Sequence, residues 1–236
     1  MCLYPKLIKN RKYTSTKKNG GIIPAVVDER TLYVPIKCGK CIECMKAKNR
    51  EWQVRLNEEI RTDKTGQFIT LTFTEEALID LEKELTKELT NKTEKIEENI
   101  IATRAVRLFL ERWRKKYKKS IKHWLVTELG HQGTERLHIH GLLFTKEDKK
   151  TIEKIWKYGF IFIGDYTNEK TINYIVKYIN KIDEHHKGYE PIILTSAGIG
   201  KNYINRYDAR LNSYKGENTN EVYKTRTGNK LKLPIY

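Results

Sequence analysis

No stretch of this 236-residue sequence approaches the run of about eighteen apolar residues that a membrane-spanning helix requires. The N-terminal segment, with Lys6, Lys9 and Arg11 among few apolar residues, also lacks the apolar core of a signal peptide. We therefore expect no membrane association and a protein that remains in the cytoplasm where it is made. Cysteine is scarce as well. The four cysteines of a cytoplasmic protein are expected to be thiols or metal ligands rather than disulfides.

Acidic residues are too few to balance the basic ones. The sequence has 30 Asp and Glu against 46 Lys and Arg, which gives a formal net charge of +16. A charge of this size predicts a polyanionic partner, and nucleic acid is the first candidate. The positive charge is clustered, because nine basic residues accompany the single Glu111 between Arg104 and Lys122.

This basic segment is predicted to form an amphipathic helix. Its apolar residues recur on one side, which we expect to be buried: Val106, Phe109, Leu110, Trp113 and Tyr117. Six basic side chains are predicted to contact the DNA backbone: Arg112, Arg114, Lys115, Lys116, Lys118 and Lys119. The preceding acidic segment, 75–103, is predicted to be a solvated helical insertion.

The order of the predicted elements indicates an α+β fold. Strands are predicted at 67–73, 124–128, 136–144 and 160–163, where β-branched and aromatic residues are frequent. Further helices are predicted at 42–61, 149–157 and 168–180. Strands joined by hairpins and helices in this order suit an antiparallel sheet of about five strands with helices packed on it.

Two histidines alternate along one predicted strand, so His138 and His140 point to the same face. If the hairpin turn centres near Gly133, Glu128 on the preceding strand lies opposite His138. Two imidazoles and one carboxylate leave open positions on a divalent ion, as a catalytic site needs. The alternative is a pair of buried structural histidines. A histidine-triad hydrolase fits less well, because position 142 is leucine where a third alternating histidine would be needed.

Downstream, three side chains with nucleophilic or basic groups share one face of a predicted helix. Tyr174, Tyr178 and Lys181 follow each other at i, i+4 and i+7, and Lys177 lies three residues after Tyr174. A tyrosine hydroxyl beside a lysine and a metal can attack a phosphodiester. The alternative is that the two tyrosines pack as core residues.

The four cysteines form a second candidate site. Cys38, Cys41 and Cys44 are spaced as metal ligands, and Cys2 is the one remaining cysteine. A structural zinc site takes four ligands, so this set fits zinc. Free thiols on a helix start and an iron–sulfur cluster are the alternatives.

The histidine and tyrosine motifs together resemble the HUH endonucleases of rolling-circle replication. Leu137-His138-Ile139-His140-Gly141 is followed about thirty-five residues later by the pattern Tyr174-x-x-x-Tyr178-x-x-Lys181. Met1-Cys2-Leu3-Tyr4-Pro5 and the cysteine motif resemble the replication initiators of microviruses, in particular the gokushovirus branch.

This resemblance implies one HUH endonuclease domain over 1–236, with a Cys-containing extension at 1–61 and a loose tail at 216–236. It implies a Mg²⁺- or Mn²⁺-dependent enzyme that nicks one strand of phage DNA at the origin and forms a 5′-phosphotyrosine link. The 3′-hydroxyl would prime synthesis, and the ends would later be rejoined. No helicase motif is present, so a host helicase and polymerase are expected partners in the bacterial host cytoplasm.

Two other functions fit parts of the same pattern. An HUH transposase or relaxase would use the same chemistry in another process. A non-catalytic DNA-binding protein would use only the basic helix and a zinc clamp. Covalent attachment to a labelled oligonucleotide separates the last of these from the enzymes.

Overall fold

The structure, a computed structural model, describes residues 2–88, 97–130, 136–180, 188–212 and 221–233. The chain divides into two compact units, Met1–Lys48 and Asn49–Tyr236. The first boundary therefore lies at Lys48, whereas the sequence predicted an extension to 61. No helix in the described ranges combines the length and apolar character that crossing a bilayer requires.

The first unit contains a two-stranded antiparallel ribbon of β1 (Lys6–Lys9) and β2 (Tyr33–Ile36). Three short 3₁₀ turns, at Arg11–Tyr13, Lys17–Asn19 and Glu29–Thr31, lie between the two strands. The long helix α1 (Ile42–Thr62) begins in this unit and has its last two-thirds in the second.

A five-stranded antiparallel sheet forms the centre of the second unit and confirms the predicted α+β class. Its strands are β3 (Gly66–Leu71), β4 (Lys122–Leu129), β5 (Leu137–Phe144), β6 (Ile161–Ile163) and β7 (Ile193–Thr195). They are arranged in the order β6–β3–β5–β4–β7. The histidine strand β5 is central, with a neighbour on both sides.

Helices cover both faces of this sheet. The further helices of the second unit are α2 (Glu75–Glu88), α3 (Glu98–Tyr117), α4 (Lys149–Trp156), α5 (Glu169–Val176) and the short α6 (Tyr207–Leu211). The predicted insertion at 75–103 is less solvated than expected, because Leu81 and Leu85 of α2 and Ile101 of α3 are buried in the core. These residues give the acidic helix one apolar face.

The predicted basic helix, 104–122, lies further towards the N-terminus. It ends at Tyr117 because Lys118 takes a left-handed conformation, with φ 57°, and donates its backbone N–H to the Arg114 carbonyl. Such a residue closes a helix. Lys122 is then already paired with Phe144 at the start of β4.

The pleat of β5 divides the core into two layers. Leu137, Ile139 and Leu143 pack with α2, α3 and α4 on one face. Leu142 and Phe144 pack with α1 and α5 on the other, which we call the α5 face. Side chains alternate along a strand, so His138 and His140 belong to the α5 face.

The tail predicted to be loose from 216 contains an ordered ribbon. Strands β8 (Val222–Lys224) and β9 (Lys230–Lys232) pair antiparallel. Tyr223 is buried against Val54 and Tyr203, and its hydroxyl donates to Glu58 at 2.7 Å. The buried contact ties this ribbon to α1.

Candidate active site

The predicted hairpin register is confirmed, because Glu128 pairs directly with His138. His140 lies one ladder step further along β5, and its Nε2 donates to a Glu128 carboxylate oxygen at 2.7 Å. The other ring nitrogen, Nδ1, lies 3.0 Å from the Thr70 hydroxyl on β3. Partners on both neighbouring strands therefore fix the orientation of the His140 ring.

His138 stands beside this pair on the same strand face. Its ring centroid is 6.3 Å from that of His140, and the two ring planes differ by 26°. Burial lowers the pKa of His138 below its ordinary value, and the neighbouring His140 lowers it further. The backbone of Arg136 accepts a hydrogen bond from this ring, so a neutral imidazole is held with one nitrogen already engaged.

The donor set of His138, His140 and Glu128 suits a divalent ion. A metal-binding histidine commonly uses its second nitrogen to bond a hydroxyl, a carboxylate or a backbone carbonyl, and both histidines have such a partner here. The three ligand atoms share one face without converging fully. Among the described residues, only the four cysteines form a group whose ligand atoms all lie within 4.8 Å of one another.

The tyrosines reach this site from α5. Asn168 caps the helix by accepting the backbone N–H groups of Lys170 and Thr171 at 2.9 and 3.2 Å. Ile172, Ile175 and Val176 are buried against the sheet. The apolar stripe thus sets the rotation of α5 and leaves Tyr174 48% exposed.

Tyr178 packs directly on the histidine pair. Its ring stacks on His140 with a centroid separation of 4.3 Å and an angle of 5°. Its hydroxyl donates to the Tyr174 hydroxyl at 2.5 Å. The predicted helix over 168–180 is α-helical only to Val176, and Tyr178 lies in the 3₁₀ turn Lys177–Asn180. The two hydroxyls nevertheless meet.

The Tyr178 phenol is difficult to ionise in this arrangement. Burial raises its pKa far above the ordinary value, and the hydrogen bond to Tyr174 and the charge of Glu128 add to the increase. The resting pair is therefore protonated, with Tyr178 as donor and Tyr174 as acceptor. Lys177 is exposed on the following turn, and Lys181 lies outside the described residues.

Sequence reasoning missed Thr70. It is a polar residue between the buried Ile69 and Leu71 on a predicted strand, which marks it as facing a different surface. The alternation alone could have raised it as a candidate. That β3 rather than another strand borders β5 depends on tertiary structure, and this neighbour relation brings Thr70 to His140.

The family model for the replication-associated protein ORF2 matches residues 66–183, which is 118 of the 236 residues. The chain belongs to this family. The matched region includes every histidine, tyrosine, lysine and carboxylate of the candidate active site and none of the four cysteines.

This family member is also similar to the replication-associated protein ORF4 of Chlamydia phage 1. The two are 23% identical over 172 residues, which is 62% of this chain and 38% of the relative. The chain thus matches well under two thirds of the relative's length. No solved structure matches the chain.

The basic helix of this family member lies away from the candidate active site. Helix α3 packs with Ile139 and Leu143, on the face of the sheet opposite to the histidines. Val106, Phe109 and Trp113 are buried, as predicted. Five of the predicted DNA-binding residues are exposed: Arg114, Lys115, Lys116, Lys118 and Lys119. DNA contact by these five stays a prediction.

Arg112 differs from the other predicted DNA-binding residues. Its Nε and Nη2 donate to the Ile155 and Trp156 carbonyls at 2.7 and 2.8 Å, at the C-terminus of α4. Nη1 donates to the Tyr158 hydroxyl at 3.1 Å, and the guanidinium lies 4.9 Å from the centroid of that ring. Its donors are used inside the protein, so the structure gives Arg112 a helix-capping role in place of the predicted DNA contact.

The four cysteines come together in the first unit. The sulfur of Cys38 lies 3.9 Å from that of Cys44, and the sulfur of Cys41 lies 3.9 Å from that of Cys2. Tetrahedral zinc with Zn–S bonds of about 2.3 Å places its sulfurs about 3.8 Å apart. The cluster can therefore hold a metal ion such as zinc without rearrangement of its sulfurs.

Backbone amides point at these sulfurs. The N–H of Leu3 donates to Cys41 Sγ at 3.5 Å and that of Cys38 to Cys2 Sγ at 3.3 Å. The Leu3 amide lowers the pKa of Cys41 to about 6, and the Cys41 amide lowers the pKa of Cys38. Burial raises the pKa of Cys44. Thiolates are the form that binds metal, so the amides favour binding at two of the four ligands.

Proposed function

We propose that this protein initiates rolling-circle replication of a circular single-stranded DNA phage by nicking one DNA strand at the origin. The observation that supports this most strongly is the contact of two tyrosine hydroxyls, 2.5 Å apart, beside the stacked His140 and its Glu128 partner. Phenols, imidazoles and a carboxylate in one place suit phosphodiester cleavage better than any other reaction. Membership of a replication-associated family favours replication over a transposase or relaxase role.

In the first step, a tyrosine oxygen attacks the scissile phosphorus. The bond from phosphorus to the 3′ oxygen breaks, the phenol loses its proton, and the 3′ oxygen gains one. The product is a 5′-phosphotyrosine ester and a free 3′-hydroxyl that a polymerase can extend. The ester retains the energy of the broken phosphodiester, so a later attack by a 3′-hydroxyl reseals the strand without another energy source.

Tyr174 is the better first nucleophile of the pair. It is 48% exposed, so a phosphate can approach its oxygen. Its hydroxyl accepts the hydrogen bond from Tyr178, and that donor would stabilise negative charge on the attacking oxygen. Tyr178 then serves as the second nucleophile, which cuts the regenerated origin while Tyr174 holds the first ester.

Glu128, His138 and His140 would hold Mg²⁺ or Mn²⁺, which when bound supplies positive charge to the non-bridging phosphate oxygens. Lys177 and Lys181 would neutralise charge on the phosphate or on a phenolate. The site must receive an unpaired strand, so DNA at the origin and a host helicase and polymerase are the expected partners, in the cytoplasm of the bacterial host.

The test is incubation of the protein with supercoiled phage replicative DNA and manganese. We expect a nicked circle and protein attached to the 5′ end, mapped by mass spectrometry to Tyr174 or Tyr178. The double variant Tyr174→Phe/Tyr178→Phe should form no adduct, because it keeps the rings and removes both attacking oxygens. Tyr207→Phe is the matched control, since Tyr207 is 79% exposed and is not part of the site. An active double variant would overturn the proposal.

The four cysteines are proposed to hold a structural zinc ion. The sulfur distances of 3.9 Å and the amide donors support this assignment. Elemental analysis of the purified protein should show about one equivalent of zinc. The zinc should persist in a His138→Ala/His140→Ala variant and be lost in Cys38→Ser. Zinc-free protein of unchanged stability would contradict this assignment.

A further inference from the structure

A row of aromatic rings leads from the tyrosines to the edge of the sheet. It consists of Phe162 on β6, Phe68 on β3 and Tyr174 on α5, and we call it the aromatic row. We infer that it is a stacking platform for unpaired bases of single-stranded DNA next to the scissile phosphate. The inference rests on the proposed function, because Tyr174 is both the last ring of the row and the proposed nucleophile.

The sheet ladder places the row beside the histidines. Phe162 pairs with Thr70, and Thr70 pairs with His140, so these three residues lie in one line across β6, β3 and β5. Neighbouring strands are about 4.8 Å apart, which puts the Phe162 backbone about 10 Å from that of His140. A base held at Phe162 is therefore within one or two nucleotides of the cleavage point.

The rings contact each other without a gap. The centroids of Phe68 and Phe162 are 6.3 Å apart at an angle of 72°, and those of Phe68 and Tyr174 are 6.0 Å apart at 80°. Phe162 is 58% exposed and Tyr174 48% exposed. The two outer rings are thus open to solvent while Phe68 joins them from a partly buried position.

Phe68 is held in place by the segment after β6. A Cβ atom at Gly164 would lie 2.8 Å from Phe68 Cδ1, so only glycine leaves room for the ring. The Gly164 N–H donates to the Phe68 carbonyl at 3.0 Å, and the Phe68 N–H donates to the Thr167 hydroxyl at 3.1 Å. The central ring is fixed before any ligand arrives, which lowers the cost of binding.

An unpaired nucleic acid strand is the occupant that fits these features. Aromatic rings stack on any base face, whereas the bases of a duplex are already stacked on each other. The row is continuous with hydroxyl, imidazole and carboxylate groups that suit a phosphate, and the chain carries a net charge of +16. A purely apolar partner would have no use for the polar end of the row.

Binding of a short fluorescein-labelled oligothymidylate, measured by anisotropy, tests the inference. The full-length Tyr174→Phe/Tyr178→Phe protein is used as the background, because it keeps the rings and forms no covalent product. Phe162→Ala should weaken binding by about 5- to 150-fold, the range measured for loss of one base–aromatic stack. Phe162→Tyr should restore most of it. Tyr207→Ala, at another exposed aromatic residue, should change binding by less than about 2-fold.

A second measurement removes single bases from the oligonucleotide in turn. One abasic position should weaken binding to the Phe162-containing protein and have no further effect on Phe162→Ala, because both changes remove the same stack. Unchanged affinity of Phe162→Ala, equal weakening of duplex binding, or a change only in the oligomeric state would overturn the inference. Stacking without any adduct in the unmodified protein would overturn the proposed nicking and leave the platform standing.

Discussion

Replacement of Tyr178 by phenylalanine removes the hydroxyl that donates to Tyr174 at 2.5 Å and keeps the ring that stacks on His140 at 4.3 Å. If Tyr174 attacks first, the variant keeps its nucleophile and loses the donor that stabilises the developing negative charge. A hydrogen bond to a charged group contributes about 1.5–3 kcal/mol. The first nick should therefore slow by roughly 10- to 150-fold.

The reciprocal variant, Tyr174→Phe, should be impaired more. It leaves Tyr178 as the only nucleophile, and burial holds the pKa of that phenol well above its ordinary value. Some nicking should remain, because one phenol still borders the site. Circle closure should fail in both variants, since it needs a second attack while the first ester persists.

Single-turnover nicking of a labelled origin strand measures both effects. The reaction is stopped at short times, and the adduct is separated from free DNA on a denaturing gel. Mass spectrometry then identifies the modified tyrosine in the first turnover of the unmodified protein. Equal rates for the two variants, a faster Tyr178→Phe variant, or a first-turnover adduct on Tyr178 would refute the assigned order.

Three further predictions concern the metal ligands, the central strand and the basic helix. His138→Ala/His140→Ala should abolish nicking and leave DNA affinity largely unchanged, as an anisotropy titration would show. Gly141→Ala should lower the free energy of unfolding by about 3 kcal/mol or more in urea, because a Cβ there would lie 2.0 Å from a backbone oxygen of the neighbouring strand. Arg112→Ala should lower it by about 1–3 kcal/mol without weakening DNA binding. Arg114→Ala should instead keep the stability and reduce the salt dependence of binding by about one unit of slope.

Local patterns were sufficient to predict the elements that carry the candidate site. The alternation in β5 and the length of the hairpin placed Glu128 opposite His138, and the ladder confirms this. The tyrosine spacing predicted a shared face, and the hydroxyls of Tyr174 and Tyr178 do meet. These features depend on residues close together in sequence, where period and turn length decide the outcome.

The remaining features depend on contacts between distant segments. Nothing in the sequence marks Lys118 as the end of α3, because a left-handed cap usually carries glycine. The capping role of Arg112 requires α4 to lie beside α3, and the partnership of Thr70 with His140 requires β3 to border β5. The side of the sheet that each helix covers likewise separates the basic helix from the histidines, although a charge count treats the two as one surface.

The two halves of the candidate site are held in the protein by different kinds of contact. His138 and His140 belong to a strand hydrogen-bonded on both sides, so its amides should exchange with deuterium only when the whole sheet unfolds. The tyrosines belong to an eight-residue helix and the turn that follows it, which join the sheet through apolar side chains. Their amides should exchange sooner, through a local opening that leaves the sheet intact. Such an opening would carry both hydroxyls together, so that a DNA end bound to one tyrosine never separates from the other.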